Sequence, residues 1–127
     1  MKLRIKDNSL RFRVSQSELA SLADSGCTEK TIYFGSDEAS RLTYSLECRP
    51  SSSPATLLYH PGKISVVLSK SGVKAWGESE QVGIYATVDV GPHGTLDILV
   101  EKDFACLDLS DTDNHDTFPN PGICAAS

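Results

Sequence analysis

Apolar residues recur at every second position in two short stretches, 2–6 and 9–14. This alternation predicts two strands that each bury one face. Asp7-Asn8 stands between the stretches, and both residues tolerate the left-handed backbone of a hairpin turn. The chain is therefore predicted to begin with a β-hairpin.

After the hairpin the pattern becomes helical. Ser15 or Ser17 can cap the start of a helix, and Ser15 and Glu18 have the spacing of a capping box. Gly26 predicts the end of this helix. The apolar stripe of this helix consists of Leu19, Ala20, Leu22 and Ala23. Two further strands are predicted near 31–34 and 42–48, joined by a polar connection.

The same order of elements recurs at an offset of 54 residues. Leu10–Leu19 lies over Ile64–Val73, with apolar residues matching at every second position, and a two-residue slip aligns Thr31–Phe34 with Gly83–Ala86. The second set comprises a hairpin across Pro61-Gly62, a helix near 71–78 with Trp76 in the core, and strands near 82–90 and 95–101. Repetition of hydrophobic period and turn residues indicates a duplicated unit.

The two units are predicted to form one α+β domain, because a unit of about 50 residues buries little core alone. The domain covers residues 1–121, with repeats at about 1–48 and 55–102, an acidic C-terminal segment, and a loose tail at 122–127. The expected architecture is an antiparallel-rich sheet system or barrel with two helices on its apolar face.

Composition excludes several classes of protein. The chain has 127 residues, of which 39% are hydrophobic and 23% charged, so it is expected to be globular and not disordered. No apolar stretch approaches the ~20 residues that span a bilayer, and the first residues lack the pattern of a signal peptide. A cytoplasmic protein is therefore expected. A net charge of −5 argues against nucleic acid as a partner.

Charge is unevenly distributed along the chain. Residues 1–13 sum to +4, whereas residues 89–127 sum to −7. Strand alternation places five basic residues on one face of the first hairpin, and acidic residues of later strands could lie opposite. This candidate anion face consists of Lys2, Arg4, Lys6, Arg11, Arg13, Glu47, Asp97 and Glu101. Two interpretations stay open: the charges pair internally across strands, or a phosphate or carboxylate ligand binds the basic residues.

Other chemistry is poorly represented. Cys27, Cys48, Cys106 and Cys124 have no metal or redox spacing, and are expected to be reduced thiols packed as small hydrophobes. The acidic stretch 108–116 is the one candidate metal segment, but it lacks the glycine and glutamate of an EF-hand loop. No pairing of a nucleophile with a base is evident. We therefore expect no cofactor, no metal and no catalytic activity.

Two resemblances bear on these predictions. Triphosphate-tunnel hydrolases are similar in architecture, with a duplicated motif and a barrel lined by charged residues, but the paired glutamates of their first strand are absent from Lys2–Lys6. The opening KLRIKDNSLRFR and the close VEKDFAC, followed by Phe118-Pro119-Asn120-Pro121, resemble a family of small uncharacterised bacterial proteins. The predicted function is a structural or protein-interaction domain. The alternative function is binding of a small phosphate or carboxylate ligand, either without turnover or as a tunnel-type hydrolase.

Overall fold

A computed structural model describes residues 1–104 and 116–119 of the chain. These residues form an α+β fold, as predicted. The strands are β1 (Lys2–Lys6), β2 (Ser9–Val14), β3 (Cys27–Tyr33), β4 (Arg41–Arg49), β5 (Ala55–His60), β6 (Lys63–Ser69), β7 (Gly83–Asp89) and β8 (Thr95–Lys102). The helices are α1 (Gln16–Ser25) and α2 (Lys70–Gly77), and a short 3-10 turn covers Gly91–His93.

The strands form two separate four-stranded sheets. Sheet A has the order β1-β2-β8-β7, and sheet B has the order β3-β4-β6-β5. The central pairs, β2 with β8 and β4 with β6, are parallel, whereas the outer pairs are antiparallel. The prediction of one sheet system or barrel is therefore wrong: the described strands form two mixed sheets and no closed barrel. The reason is that each helix carries the chain from one sheet to the other.

Turn chemistry places the hairpins where the sequence predicts them. Asp7 has a φ of 49° and Gly62 a φ of 84°, so both occupy the left-handed region that tight turns require. These turns join β1 to β2 and β5 to β6. The hairpin predictions are confirmed.

Helix α1 begins at a complete capping box. The hydroxyl of Ser15 accepts from the backbone N–H of Glu18 at 3.3 Å, and the carboxylate of Glu18 accepts from the N–H of Ser15 at 2.9 Å. Gly26 ends the helix with a φ of 81° and donates its N–H to the carbonyl of Leu22. Both predicted ends of this helix are confirmed.

One cluster of buried apolar side chains connects both sheets and both helices. The rings of Phe12 in sheet A and Tyr44 in sheet B have centroids 6.4 Å apart. Trp76 of α2 is fully buried, and its indole N–H donates to the carbonyl of Val82 at 3.0 Å, which satisfies the polar atom of a buried tryptophan. The prediction that Trp76 is a core residue is confirmed.

Strand β3 begins earlier than its sequence suggests. It starts at Cys27, directly after the helix cap at Gly26, whereas the prediction placed it near 31–34. Nearly all residues of β3 are exposed because it is an edge strand. The pattern of apolar and polar residues along β3 therefore does not indicate where the strand begins. No helix in the described part of the chain is long and apolar enough to cross a membrane.

Candidate functional site

The basic residues of the first hairpin share one face of sheet A, because they alternate along two paired strands. Lys2 lies opposite Arg13, and Arg4 lies opposite Arg11. Strand β8 lies beside β2, where Glu101 is level with Arg13. Neighbouring strands are about 4.8 Å apart, so basic and acidic side chains meet on one surface. The charged face is the set Lys2, Arg4, Lys6, Arg11, Arg13, Asp97 and Glu101.

Glu101 is central to the charged face. Its carboxylate accepts a hydrogen bond from Nε of Arg11, and the two side chains form an ion pair that is 26% exposed at the arginine and 12% at the glutamate. The hydroxyl of Tyr85 donates to the other carboxylate oxygen at 2.7 Å. Burial, together with the bond to Glu101, raises the pKa of Tyr85 from 10.0 to about 12. The hydroxyl therefore stays protonated and keeps its role as donor.

Asp103 is a second acidic partner, and the sequence prediction missed it. Its carboxylate lies 2.9 Å from Nζ of Lys2 and 4.0 Å from Nη1 of Arg13, and the residue is buried. The prediction missed Asp103 because it ended β8 at Glu101 and did not continue the alternation further. Continued alternation places Asp103 on the same side as Glu101.

Two of the predicted acidic residues do not pair with the hairpin. Glu47 lies on β4 in sheet B, where it forms an ion pair with Arg49. Asp97 belongs to sheet A, but its carboxylate accepts from the hydroxyl of Thr87 at 3.0 Å. The strand order thus separates Glu47 from the predicted face, because β4 pairs with β3 and β6 and not with β2.

Arg4 and Lys6 differ from the other three basic residues. Both are exposed on the outer strand β1. In residues 1–104 and 116–119, neither forms an ion pair with a carboxylate, whereas Lys2, Arg11 and Arg13 do. The basic hairpin therefore has ion pairs along β2, at Arg11 and Arg13, and at Lys2 of β1, and it is open to solvent at Arg4 and Lys6.

The described cysteines have protonated thiols at neutral pH. Cys27 and Cys48 are free, Cys27 being exposed and Cys48 half-buried. Partial desolvation raises the pKa of both thiols. The carboxylates of Glu29 and Glu47 add to the shift at Cys27, whereas Lys70 opposes the shift at Cys48. The prediction that the cysteines pack as small hydrophobes is therefore wrong for Cys27, which lies on an edge strand. Cys106 and Cys124 lie outside the described residues.

The candidate metal segment 108–116 lies outside the described residues except for Asp116. The carboxylate of Asp116 accepts from the N–H of Ser17 at 3.3 Å and also from the hydroxyl of Ser17. This aspartate therefore binds the start of α1. In the part of the chain that the structure describes, no three histidine, cysteine or acidic residues come together in a way that could hold a metal.

A groove of about 460 Å³ lies between α1 and α2. Small and apolar residues line it: Ala20 and Ala23 of α1, Val73 and Gly77 of α2, Cys48 of β4, and Phe118. Charged and polar residues also line it: Lys70 and Lys74 of α2, Glu78 directly after α2, and Gln16 of α1. The sequence carried a signal for this groove. The predicted stripe of α1 is four residues wide, and its leucines are buried whereas its alanines stay exposed to the groove.

Comparison with known proteins gives one family. The model of a family of unknown function, DUF7009, matches residues 1–122. No curated protein and no solved structure matches the chain. The predicted resemblance to a family without a known activity is confirmed, whereas the bacterial and cytoplasmic assignments stay predictions. The chain belongs to DUF7009, a family of unknown function.

Proposed function

We propose that this protein is a small structural or protein-interaction domain without catalytic activity, in which the charged face stabilises the fold. The observation that carries the proposal is the pairing of Lys2, Arg11 and Arg13 with Glu101 and Asp103. Each carboxylate is nearly buried and contacts more than one donor. Such a carboxylate is already occupied, which leaves it poorly suited to hold a metal or to transfer a proton.

The pairing has a physical reason. Five cations on one hairpin repel one another, and salt screens this repulsion little at separations under ~10 Å. Glu101 and Asp103 offset part of that repulsion from the neighbouring strand and its end. The acidic second half of the chain therefore supplies counterions to the basic first half.

An interaction role is supported by the free edge of sheet B. Ile32, Tyr33 and Phe34 are consecutive, and they are 47%, 53% and 70% exposed. Among the described strands, β3 pairs with β4 on one side and has no strand on its other side. An exposed apolar edge is a surface to which another chain can add. The partner that fits it is an extended protein segment, because its backbone can continue the hydrogen bonding of the sheet.

The second candidate function is binding of a phosphate or carboxylate anion. Its support is the pair Arg4 and Lys6, which are exposed and lack carboxylate partners in the described part of the chain. Arginine binds such anions with two parallel hydrogen bonds. A tunnel-type hydrolase would require turnover in addition to binding.

Thermal melting separates the two functions. An anion at 100 times its dissociation constant stabilises the native state by ~2.7 kcal/mol, which raises the melting temperature of a domain this size by several degrees. We expect millimolar phosphate, sulfate or polyphosphate to leave the melting temperature unchanged. In Glu101→Gln, which leaves Arg11 without its carboxylate, we expect a lower melting temperature that phosphate partly restores. Glu38→Gln, on an exposed loop, is the matched control.

The opposite result identifies the second function. A rise of several degrees in the unmodified protein, lost when Arg4 and Lys6 are both changed to glutamine, would show anion binding. A screen of phosphatase, esterase and nucleotidase substrates extends the test to catalysis. Turnover that Glu101→Gln abolishes would contradict the proposal and favour the hydrolase.

We also infer that the domain consists of two duplicated units, about 1–48 and 55–102, within a single domain at 1–121. The strand registers support this. Ser9 pairs with Asp97. Lys63 lies 54 positions after Ser9, and Thr43 lies 54 positions before Asp97; these two residues also pair. The same offset converts the pairing of Lys2 with Arg13 into that of Thr56 with Val67.

The third strand of each unit fits the duplication at a different offset. Cys27 pairs with Glu47, and Gly83 pairs with Glu101. Cys27 therefore corresponds to Gly83, 56 positions later, whereas the sequence alignment matched Gly83 with Thr31. The observed offset is two residues longer than 54, whereas the sequence alignment used an offset two residues shorter than 54. Exposure of β3 explains the error, because its apolar positions are not fixed by a core.

A further inference from the structure

We propose that the groove between α1 and α2 binds a medium-chain aliphatic carboxylate. The aliphatic chain lies along Ala20, Ala23 and Gly77, and the carboxylate is held by Lys70 and Lys74. The groove and the charged face share no residue. The proposal therefore goes beyond the proposed function and can fail without it.

The size of the groove favours a small molecule. Its volume of about 460 Å³ falls within the range of ~300–1,000 Å³ that is usual for small-molecule sites. A partner helix would need a longer surface, because α2 has eight residues and extends for only about 12 Å. The lining is mostly apolar, so a bound aliphatic chain would be removed from water.

The position of the lysines favours an anionic head group. Lys70 and Lys74 are four residues apart, so their side chains lie on the same side of α2. Both are exposed, and neither forms an ion pair within residues 1–104 and 116–119. Glu78 also lines the groove but forms no ion pair with either lysine in the described part of the chain. The three ionised side chains together keep a net positive charge, which complements one carboxylate.

The surroundings of the lysines indicate an amphiphile. A second hollow, of about 460 Å³, is lined by the same two lysines and by Pro50, Ser51 and Ser71. The two lysines therefore border both the apolar groove and a hollow that is lined by the serines. A molecule with an apolar tail and a carboxylate head matches this division, whereas a fully polar anion would leave the apolar groove unfilled.

Cys48 provides a direct measurement of occupancy. It lines the groove and is half-buried, whereas Cys27 lies on the exposed edge strand β3. In the full chain, the rates at which N-ethylmaleimide labels each cysteine can be followed by peptide mass mapping. Dodecanoate at ten times its dissociation constant should slow labelling of Cys48 about tenfold by mass action. The labelling rate of Cys27 should not change.

Variants test each half of the proposed contact. Changing both Lys70 and Lys74 to glutamine should weaken dodecanoate binding about tenfold, which corresponds to ~1.4 kcal/mol. Lys30→Gln, on β3, is the matched control. Gly77→Leu should fill the groove and abolish protection. It should also fold, because no heavy atom outside its chain neighbours and its own helix backbone lies within 4 Å of the position that a Cβ would take. Ala75→Leu, on α2 outside the groove lining, is its control.

Related probes decide between ligand classes. Dodecanol and dodecyltrimethylammonium have the same chain without the negative charge, and we expect both to protect Cys48 much less than dodecanoate does. Equal protection by dodecanol would overturn the carboxylate assignment. Lack of protection by dodecanoate, or unchanged protection in Gly77→Leu, would overturn the proposed site.

Discussion

At the scale of single residues, the charged face depends most on Glu101. This carboxylate binds Arg11 through one oxygen and Tyr85 through the other. Charge-assisted hydrogen bonds are about twice as strong as neutral ones, and a carboxylate this little exposed is weakly screened by salt. Removal of its charge should therefore affect both neighbours at once.

The pKa of Tyr85 predicts how stability changes at high pH. Its pKa is raised to about 12 in the fold, whereas an unfolded tyrosine titrates near ~10. A raised pKa means that the folded state favours the protonated hydroxyl. Its contribution to stability is thus fully present below about pH 10 and is lost as the pH rises toward 12. Urea unfolding at a series of pH values should show this loss.

Two variants isolate the contribution of Tyr85. In Tyr85→Phe, the free energy of unfolding should fall less steeply between pH 10 and 12, because the titrating hydroxyl is gone. In Glu101→Gln, spectrophotometric titration should show the pKa of Tyr85 moving back toward 10. An identical pH dependence in Tyr85→Phe and the unmodified protein would contradict the assignment.

Prediction of these residues from sequence succeeded where the alternation continued within a strand. Glu101 was predicted to face the basic hairpin because Leu96, Ile98 and Val100 define the opposite face of β8. Asp103 was missed because it lies one residue beyond the end of β8. Glu47 was misplaced because alternation fixes the side of a strand that a residue occupies, but not the sheet to which the strand belongs.

At the scale of elements, local chemistry determines where α1 begins. Ser15→Ala removes the hydroxyl that accepts the N–H of Glu18, and the loss of an N-cap costs about 1 kcal/mol. We expect a decrease of that size in the free energy of unfolding, measured by urea denaturation. Far-UV circular dichroism of the native state should change little, because Leu19 and Leu22 still anchor the helix in the core.

A serine within the same helix provides the control. Ser21 is exposed in the interior of α1, where alanine has the higher helix propensity. Ser21→Ala should therefore leave stability unchanged or slightly increase it. An equal loss for both variants would mean that the hydroxyl of Ser15 does not cap the helix.

Elements with local signals were predictable, whereas elements without them were not. Hairpins and helix ends follow from turn residues and caps a few positions apart, so a single sequence was sufficient to place them. Strand β3 has neither a buried face nor a flanking loop at its start, and its predicted position was four residues late. Edge strands are subject to weaker packing constraints, and their sequences are correspondingly less informative.

At the scale of the whole molecule, the pairing of the hairpins could not be predicted from sequence. Hydrophobic period gives each strand a buried face, but several arrangements of four hairpins bury the same faces. In the structure, the first and last hairpins form sheet A, and the middle two form sheet B. The long-range parallel pairs β2–β8 and β4–β6 hold this arrangement together. Each of these sheets therefore contains strands from both proposed units.

Because each sheet contains strands of both proposed units, we predict that the two units unfold together. Phe12 and the corresponding Val66 are both fully buried, one in each sheet, and Trp76 is the single tryptophan of the chain. Phe12→Leu and Val66→Ala should each lower the free energy of unfolding by about 1–3 kcal/mol.

Because the core is shared, Phe12→Leu should shift the transition followed by Trp76 fluorescence as far as that followed by far-UV circular dichroism. The exposed variant Lys30→Gln should shift neither. A Trp76 transition that stays in place while the circular dichroism transition divides in two would mean that the units fold independently.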